Sequence, residues 1–181
     1  PVESPKVYKN YQELLASDVD AVIIATPVFL HPEHFEAAVK AGKHIYMEKP
    51  AGLDVAGCKR VIRAADSAPR KLNIVFGFQQ RYGPLSRKAH QVVSSGGIGA
   101  LRMAHSHWIK GIFSGNEKPQ PRPSTELERI RNWHAWRDTF GDTIVETYCH
   151  GIDVLNWFLG GHPVKAFGTG GQLVEVRGDN R

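Results

Sequence analysis

An alternation of short apolar runs with amphipathic segments constrains the fold of this chain more than any other feature. Residues 19–26, Val-Asp-Ala-Val-Ile-Ile-Ala-Thr, stop at Pro27 and are typical of a strand buried on both faces of a parallel sheet. Residues 44–47 and 73–78 predict two further strands. Strands that alternate with helices imply right-handed crossover connections, so we predict an α/β fold with a doubly wound parallel sheet.

Capping residues and apolar spacing predict the helices around these strands. Asn10 is a suitable N-cap with Glu13 three residues later, so a short helix is expected to end near Ser17. Pro32 suits the first turn of a second helix, which Gly42 is placed to end. Two further helices are expected, one capped by Asp54 and one running from Pro84 to Ser95 before Gly96 and Gly97.

Beyond about Gly99 the pattern changes. Residues 101–110 alternate roughly between apolar and polar side chains, which suits a long strand with one covered face. Residues 111–131 hold three prolines and no clear period, so we expect a long loop there. Apolar side chains at helical spacing predict a helix within 144–159, and residues 164–176 predict another strand. This order of elements is typical of the start of an α+β domain.

Polar residues follow each of the three strands predicted in the first half. They are Thr26-Pro27, Glu48-Lys49-Pro50 and Gln79-Gln80-Arg81. In doubly wound sheets, ligands bind beyond the carboxyl ends of the strands. Topology alone therefore predicts a site at this edge of the sheet.

Composition and charge exclude several classes of protein. The 181 residues are 41% hydrophobic and 23% charged, which excludes a disordered chain. The net charge of +5 is scattered, with no basic cluster longer than two residues, so no nucleic-acid partner is expected. No apolar run reaches the roughly 18 residues that a membrane-spanning helix needs. No metal site is expected, because the pairs His31/His34 and His105/His107 lack a matching carboxylate or cysteine partner.

Four motifs, taken in order, resemble the glucose–fructose oxidoreductase/inositol dehydrogenase (Gfo/Idh/MocA) family. They are Thr26-Pro-Val-Phe-Leu-His31, Ala41-Gly-Lys-His44, Glu48-Lys49-Pro50 and the segment from Glu146 through His150 and Asp153 to Trp157. The resemblance extends from Val7 to about Gly171. It implies a Rossmann-like cofactor domain, here the second half of its sheet over residues 1–98, followed by the start of an α+β substrate and oligomerisation domain with an open sheet over 99–181. The glycine-rich phosphate-binding turn of the family is expected before Pro1.

The resemblance also implies an activity and its residues. Family members oxidise or reduce sugars, inositols and related polyols with NAD or NADP. The catalytic residues would be Lys49, His150 and Glu146, the last standing where many members have Asp. The residues around the cofactor would be Thr26, Pro27, His31, Glu48, Lys49, Pro50 and Arg81. Contact with the substrate is expected from Lys49, Arg81, His150 and Trp136, the last because aromatic faces stack on sugar rings.

The chemistry of alcohol oxidation suits these residue types. A hydroxyl proton must pass to a base, and a histidine such as His150 titrates near neutrality. Glu146 lies four residues earlier, which on one continuous helix would place both side chains on the same face. Lys49 would supply positive charge to the developing alkoxide. A cis Lys49–Pro50 peptide bond, which would fix the direction of Lys49, is a further hypothesis.

Other interpretations of these residues stay open at this point. Lys49 could be a surface lysine, His150 a core histidine and His31 a helix-capping residue, whereas Asp153 is expected to satisfy backbone groups near a helix start. The protein could instead use a retained cofactor for transient oxidation, as a sugar lyase, glycosidase or isomerase, or it could be a non-catalytic binding or scaffold protein. A homo-oligomer in the cytoplasm is expected, or in the periplasm if an export signal precedes Pro1.

Overall fold

The computed structural model describes residues 4–109 and 122–171, which fall into two compact units. The units are Pro1–Gly77 and Phe78–Arg181. The sequence-based boundary at 98/99 lies about twenty residues later along the chain. The difference arises because the helix at Pro84–Ser94 packs within the second unit, where His90 stacks on Trp157 with ring centroids 4.4 Å apart.

The first unit alternates helices and strands as the sequence predicts. Its elements are α1 (Tyr11–Leu15), β1 (Ala21–Ile24), α2 (His31–Lys40), β2 (His44–Met47), α3 (Val55–Asp66) and β3 (Ile74–Phe76). The strands pair in parallel in the order β1-β2-β3, with Ile24 opposite Met47 and Met47 opposite Phe76. This is the Rossmann-type arrangement that the alternating pattern predicts.

The predicted caps form in the structure. The Asn10 side chain accepts a hydrogen bond from the Glu13 backbone N–H at 2.9 Å, and Asp54 accepts from the Gly57 N–H at 2.7 Å. The chain leaves α2 through Gly42, whose φ of +70° favours a residue without a Cβ. Local sequence therefore determines where these helices begin and end.

The core of the first unit lies on one face of the sheet. Phe35, Ala38 and Val39 of α2 pack there with Val61 of α3 against a strand layer made of Val22, Ile24, Ile45 and Met47. On the other face, Ile23 is 75% exposed. The expectation that the first strand is buried on both faces is therefore wrong for the described residues. The reason is that α2 and α3 both pack on the same side of the strands, and no described helix covers the other.

The regular elements of the second unit are all helices in the residues that the structure describes. Its elements are α4 (Pro84–Ser94), α5 (Glu126–Arg131), α6 (Arg137–Phe140), α7 (Asp142–Glu146) and α8 (Cys149–Leu159). Part of the predicted loop 111–131 is thus the helix α5, which opens with a capping box between Thr125 and Glu128. Residues 110–121 lie outside the described residues.

Both strands predicted in the second half are absent from the described residues. Residues 101–109 and 164–171 are extended or irregular without ladder partners, while residue 110 and residues 172–176 lie outside the described part of the chain. Alternating side chains predict which face of a strand is covered, but a strand exists only where a neighbouring backbone accepts its hydrogen bonds. No such neighbour is present among the described residues.

Candidate active site

Two of the three predicted strand ends meet at one edge of the sheet in the first unit. Thr26 follows β1 and is exposed, and Glu48 and Lys49 follow β2 and are half-buried. The Glu48 N–H donates to Ile24 O at 2.9 Å, which continues the pairing of the two strands up to this edge. The third group, Gln79–Arg81, forms a 3₁₀ turn in the second unit.

The peptide bond between Lys49 and Pro50 is cis, as hypothesised from the sequence. Pro50 is buried, while the preceding lysine remains partly accessible. Next to them, a Cβ on Gly77 would lie 2.8 Å from the Tyr46 hydroxyl and 2.9 Å from Glu48 Oε1. A glycine at this position therefore leaves room for the polar side chains that end β2.

His31 connects the two strand ends through its ring. Its Nδ1 lies 2.7 Å from Pro50 O and its Nε2 lies 2.8 Å from Thr26 O, and the residue is only 1% exposed. Both partners are carbonyl oxygens, which accept hydrogen bonds from ring N–H groups. This geometry favours the structural interpretation of His31, because both of its polar atoms are already hydrogen-bonded to backbone.

His34 lies one turn further along α2 and contacts the same strand end. Its Nδ1 lies 3.0 Å from Thr26 Oγ1. Burial lowers the pKa of His34, the Glu33 carboxylate acts in the opposite direction, and the nearby His31 lowers it further. The neutral ring is therefore the form that suits this position. Pro27, the remaining residue of this strand end, opens the 3₁₀ turn Val28–Leu30 that leads into α2.

In the second unit, His150 lies in the first turn of α8 and is 6% exposed. The indole of Trp108 stacks on its imidazole, with centroids 5.3 Å apart and planes inclined by 19°. Phe78 meets the imidazole edge-on at 6.3 Å and 88°. Sequence reasoning did not single out these two aromatic residues, since neither belongs to a motif. Only the fold shows that they contact His150.

Glu146 and His150 lie on different helices. Glu146 is the last residue of α7, and the N–H groups of Thr147 and Tyr148 both return to Thr143 O, at 2.9 and 2.8 Å. These two hydrogen bonds to one carbonyl oxygen end α7, and α8 then starts at Cys149. The premise that one continuous helix carries both residues is therefore wrong, so their four-residue spacing alone does not place the two side chains on one face. Glu146 is half-buried beside this break.

Arg81 forms an ion pair with Asp153 of α8. Its Nε and Nη2 each donate to the carboxylate at 2.8 Å, to Oδ2 and Oδ1 respectively. The guanidinium also lies 5.6 Å from the centroid of the Trp157 ring. The expectation that Asp153 satisfies backbone groups near the helix start thus gives way to a side-chain ion pair. Of the residues predicted to surround the cofactor, Arg81 alone belongs to the second unit, and its guanidinium is paired with Asp153.

Trp136 is 2% exposed and belongs to the core of the second unit. The guanidinium of Arg122 lies 4.8 Å from its ring centroid. The ring therefore has little surface available to a sugar in this structure. Its predicted contact with substrate remains a prediction that the geometry does not favour.

Comparison with known proteins decides the family. The model for an oxidoreductase family with an NAD-binding Rossmann fold matches residues 2–76, and the model for the GFO/IDH/MocA C-terminal domain matches residues 86–180. The chain belongs to the Gfo/Idh/MocA oxidoreductase family. The fold class predicted from the sequence is thereby confirmed, with a Rossmann-type domain followed by the C-terminal domain of this family.

Several relatives of the chain carry the name of an inositol dehydrogenase. Inositol 2-dehydrogenase 3 of Saccharopolyspora erythraea is 33% identical over 83% of this chain and 38% of its own length. The structure of myo-inositol 2-dehydrogenase from Lactobacillus plantarum is 25% identical, with a TM-score of 0.60 over 84% of this chain and 41% of its own. An oxidoreductase domain protein from Kribbella flavida has a TM-score of 0.71 at 27% identity, over 83% of this chain and 38% of its own. The chain thus spans about two fifths of the length of these relatives.

No helix in residues 4–109 or 122–171 is both long and apolar enough to cross a bilayer.

Proposed function

We propose that this chain belongs to a nicotinamide-dependent dehydrogenase that oxidises a secondary alcohol of an inositol-like polyol or a sugar. Family membership over both domains is the observation that carries the proposal. The name inositol 2-dehydrogenase, borne by several relatives, supports a cyclic polyol as the substrate class. The presence of a lysine at the end of β2 and of a buried histidine in the first turn of α8 supports catalysis rather than a scaffold role.

The strand-end edge of the first unit fits a nicotinamide cofactor. Thr26, Pro27, Glu48, Lys49 and Pro50 end two neighbouring parallel strands, where α/β sheets bind such ligands. Gly77 keeps space open beside them, since a Cβ there would meet Glu48. A nicotinamide held at this edge would supply the hydride acceptor that oxidation of the carbinol carbon needs. The 181 residues contain no G-x-G-x-x-G pattern, so the proposal names no residues for the phosphates of the cofactor.

His150 is the proposed general base. Its imidazole can take the hydroxyl proton near neutral pH, and its aromatic neighbours limit the orientations of the ring. Lys49 is proposed to stabilise the developing alkoxide through its ammonium charge. Glu146 is proposed to assist His150 from the end of the preceding helix, a role that no longer depends on a shared helical face.

For Arg81, the ion pair with Asp153 supports a role in holding α8, the helix that carries His150. Its contact with cofactor and substrate remains a prediction, as does the contact of Trp136 with substrate. NAD and NADP remain alternatives. A homo-oligomer in the cytoplasm remains our proposal from the family resemblance, and sedimentation of the purified protein tests the oligomeric state.

The test uses the natural protein in full length. Nicotinamide reduction is followed by absorbance with myo-inositol, scyllo-inositol and glucose, each with NAD⁺ and with NADP⁺. We expect turnover with at least one cyclic polyol and its loss in Lys49→Ala and His150→Ala. The exposed residues Lys59 and His162 provide the matched controls Lys59→Ala and His162→Ala. Near wild-type turnover in both site variants would contradict the assigned roles, and a changed polyol without net cofactor reduction would favour transient oxidation.

A further inference from the structure

We infer that Trp108 is a positioning residue for His150: its indole, anchored at the start of α8, fixes the plane of the imidazole ring. The stacking itself is independent of what the protein does. Its catalytic consequence rests on the proposed role of His150 as the base.

Two aromatic side chains restrict the imidazole from different directions. The Trp108 indole lies nearly parallel to it, at 19° and 5.3 Å between centroids. The Phe78 ring is almost perpendicular to it, at 88° and 6.3 Å. Both distances fall in the range of roughly 4.5–7 Å over which aromatic pairs attract. Rotation of His150 out of its observed plane would break the face-to-face contact with Trp108.

The segment that carries Trp108 is itself attached to α8. The hydroxyl of Tyr148 donates to Ser106 O at 2.9 Å. On the helix side, a Cβ on Gly151 would lie 2.7 Å from Ser106 Oγ, so a larger residue here would force Ser106 or α8 to shift. On α8, the contacting residues Tyr148 and Gly151 lie on either side of His150. Their partner Ser106 lies two residues before Trp108. They explain how a residue outside any strand can hold a fixed position against the ring.

The parallel stacking of Trp108 on His150 would serve catalysis by fixing the plane of the base, which core packing alone does not need. A general base must direct a ring nitrogen at the proton it removes, and small misplacements reduce catalysis by large factors. A face-to-face aromatic neighbour sets the ring plane without occupying either ring nitrogen. An aliphatic side chain such as leucine would contact the ring without selecting one orientation of the imidazole.

The first experiment measures the stacking in the purified full-length protein by NMR. The ring signals of His150 are assigned by comparison with His150→Gln. We expect an upfield ring-current shift for these signals and cross-relaxation between the two rings. The shift should be lost in Trp108→Leu, largely kept in Trp108→Phe and unchanged in Trp133→Leu. Trp133 is the matched control because it packs on His134 and Phe140 instead. Wild-type His150 signals without a ring-current shift or cross-relaxation would overturn the inference, whether or not any variant folds.

The second experiment measures the catalytic consequence in the full-length enzyme. We expect Trp108→Leu to lower kcat by on the order of tenfold to a hundredfold. KM for polyol and cofactor should change little, and Trp108→Phe should recover most of the lost rate. An unchanged kcat in folded Trp108→Leu would overturn the positioning role. If the wild-type protein shows no nicotinamide chemistry, the proposed function fails and the positioning role in it fails too, while the NMR result still decides the stacking.

Discussion

Replacing His31 with leucine is expected to destabilise the first unit by about 2–5 kcal/mol. The ring connects two strand ends by hydrogen bonds of 2.7 Å to Pro50 O and 2.8 Å to Thr26 O. Leucine keeps a side chain of similar size in the helix but donates no hydrogen bond. Because His31 is 1% exposed, water has little access to replace the lost donors.

The magnitude follows from the two carbonyls left behind. A buried polar group that loses its partner costs about 1–3 kcal/mol, and two such groups give about 2–6 kcal/mol. Partial relaxation of the exposed Thr26 toward solvent lowers the upper end of this range. The matched control is His34→Leu in the same helix, which removes one bond to an exposed hydroxyl and should cost less than about 1.5 kcal/mol.

Amide hydrogen exchange of β1 and β2 reports the stability of the first unit directly. Urea unfolding followed by circular dichroism provides a second measurement. All four tryptophans lie beyond Gly77, so tryptophan fluorescence follows the second unit separately. A change below about 0.5 kcal/mol in His31→Leu, the size of an ordinary surface substitution, would refute the argument that the ring holds both carbonyls.

Three further predictions concern other contacts. A double-mutant cycle of Arg81→Met and Asp153→Asn, with unfolding followed by tryptophan fluorescence, should give a coupling energy of about 1–2 kcal/mol. The coupling energy is limited because the Arg81 side chain is 40% exposed. Gly151→Ala should destabilise the second unit by about 1–3 kcal/mol, since its Cβ would lie 2.7 Å from Ser106 Oγ. Adding Ser106→Gly should restore part of the lost stability, again measured by unfolding followed by tryptophan fluorescence. Burial lowers the pKa of His34 below its ordinary value of 6.5, so His34 is protonated at higher pH in the unfolded chain than in the folded one. The free energy of unfolding therefore falls as the pH drops below about 6.5. His34→Gln should show a flatter dependence of unfolding free energy on pH between about 7 and 5.

Local sequence signals predict the first unit well. Asn10, Asp54 and Gly42 determine helix ends through their own side chains or backbone freedom, and the structure shows each of them in that role. The apolar runs predict the strands because short runs of β-branched and apolar residues bounded by turn residues are typical of strands. Burial of the second face, in contrast, depends on which helices are present, and Ile23 remains exposed among the described residues.

The second unit is harder to predict because its contacts join distant residues. Arg81 and Asp153 are 72 positions apart, and nothing in either local segment indicates their pairing. The break between α7 and α8 depends on two N–H groups that share the Thr143 carbonyl, a choice that helical spacing does not reveal. The contact of Trp108 with His150 likewise depends on how a segment without secondary structure attaches to α8.

Transfer of isotope tests the central claim most directly. The full-length protein is incubated with NAD⁺ or NADP⁺ and with myo-inositol deuterated at its carbinol carbons, and the nicotinamide is examined by NMR. We predict deuterium in the reduced nicotinamide ring and its absence with His150→Ala. Conversion of the polyol with no deuterium in the nicotinamide would contradict a dehydrogenase. An unlabelled cofactor with deuterated inositol isomers and with deuterated glucose would contradict it as well.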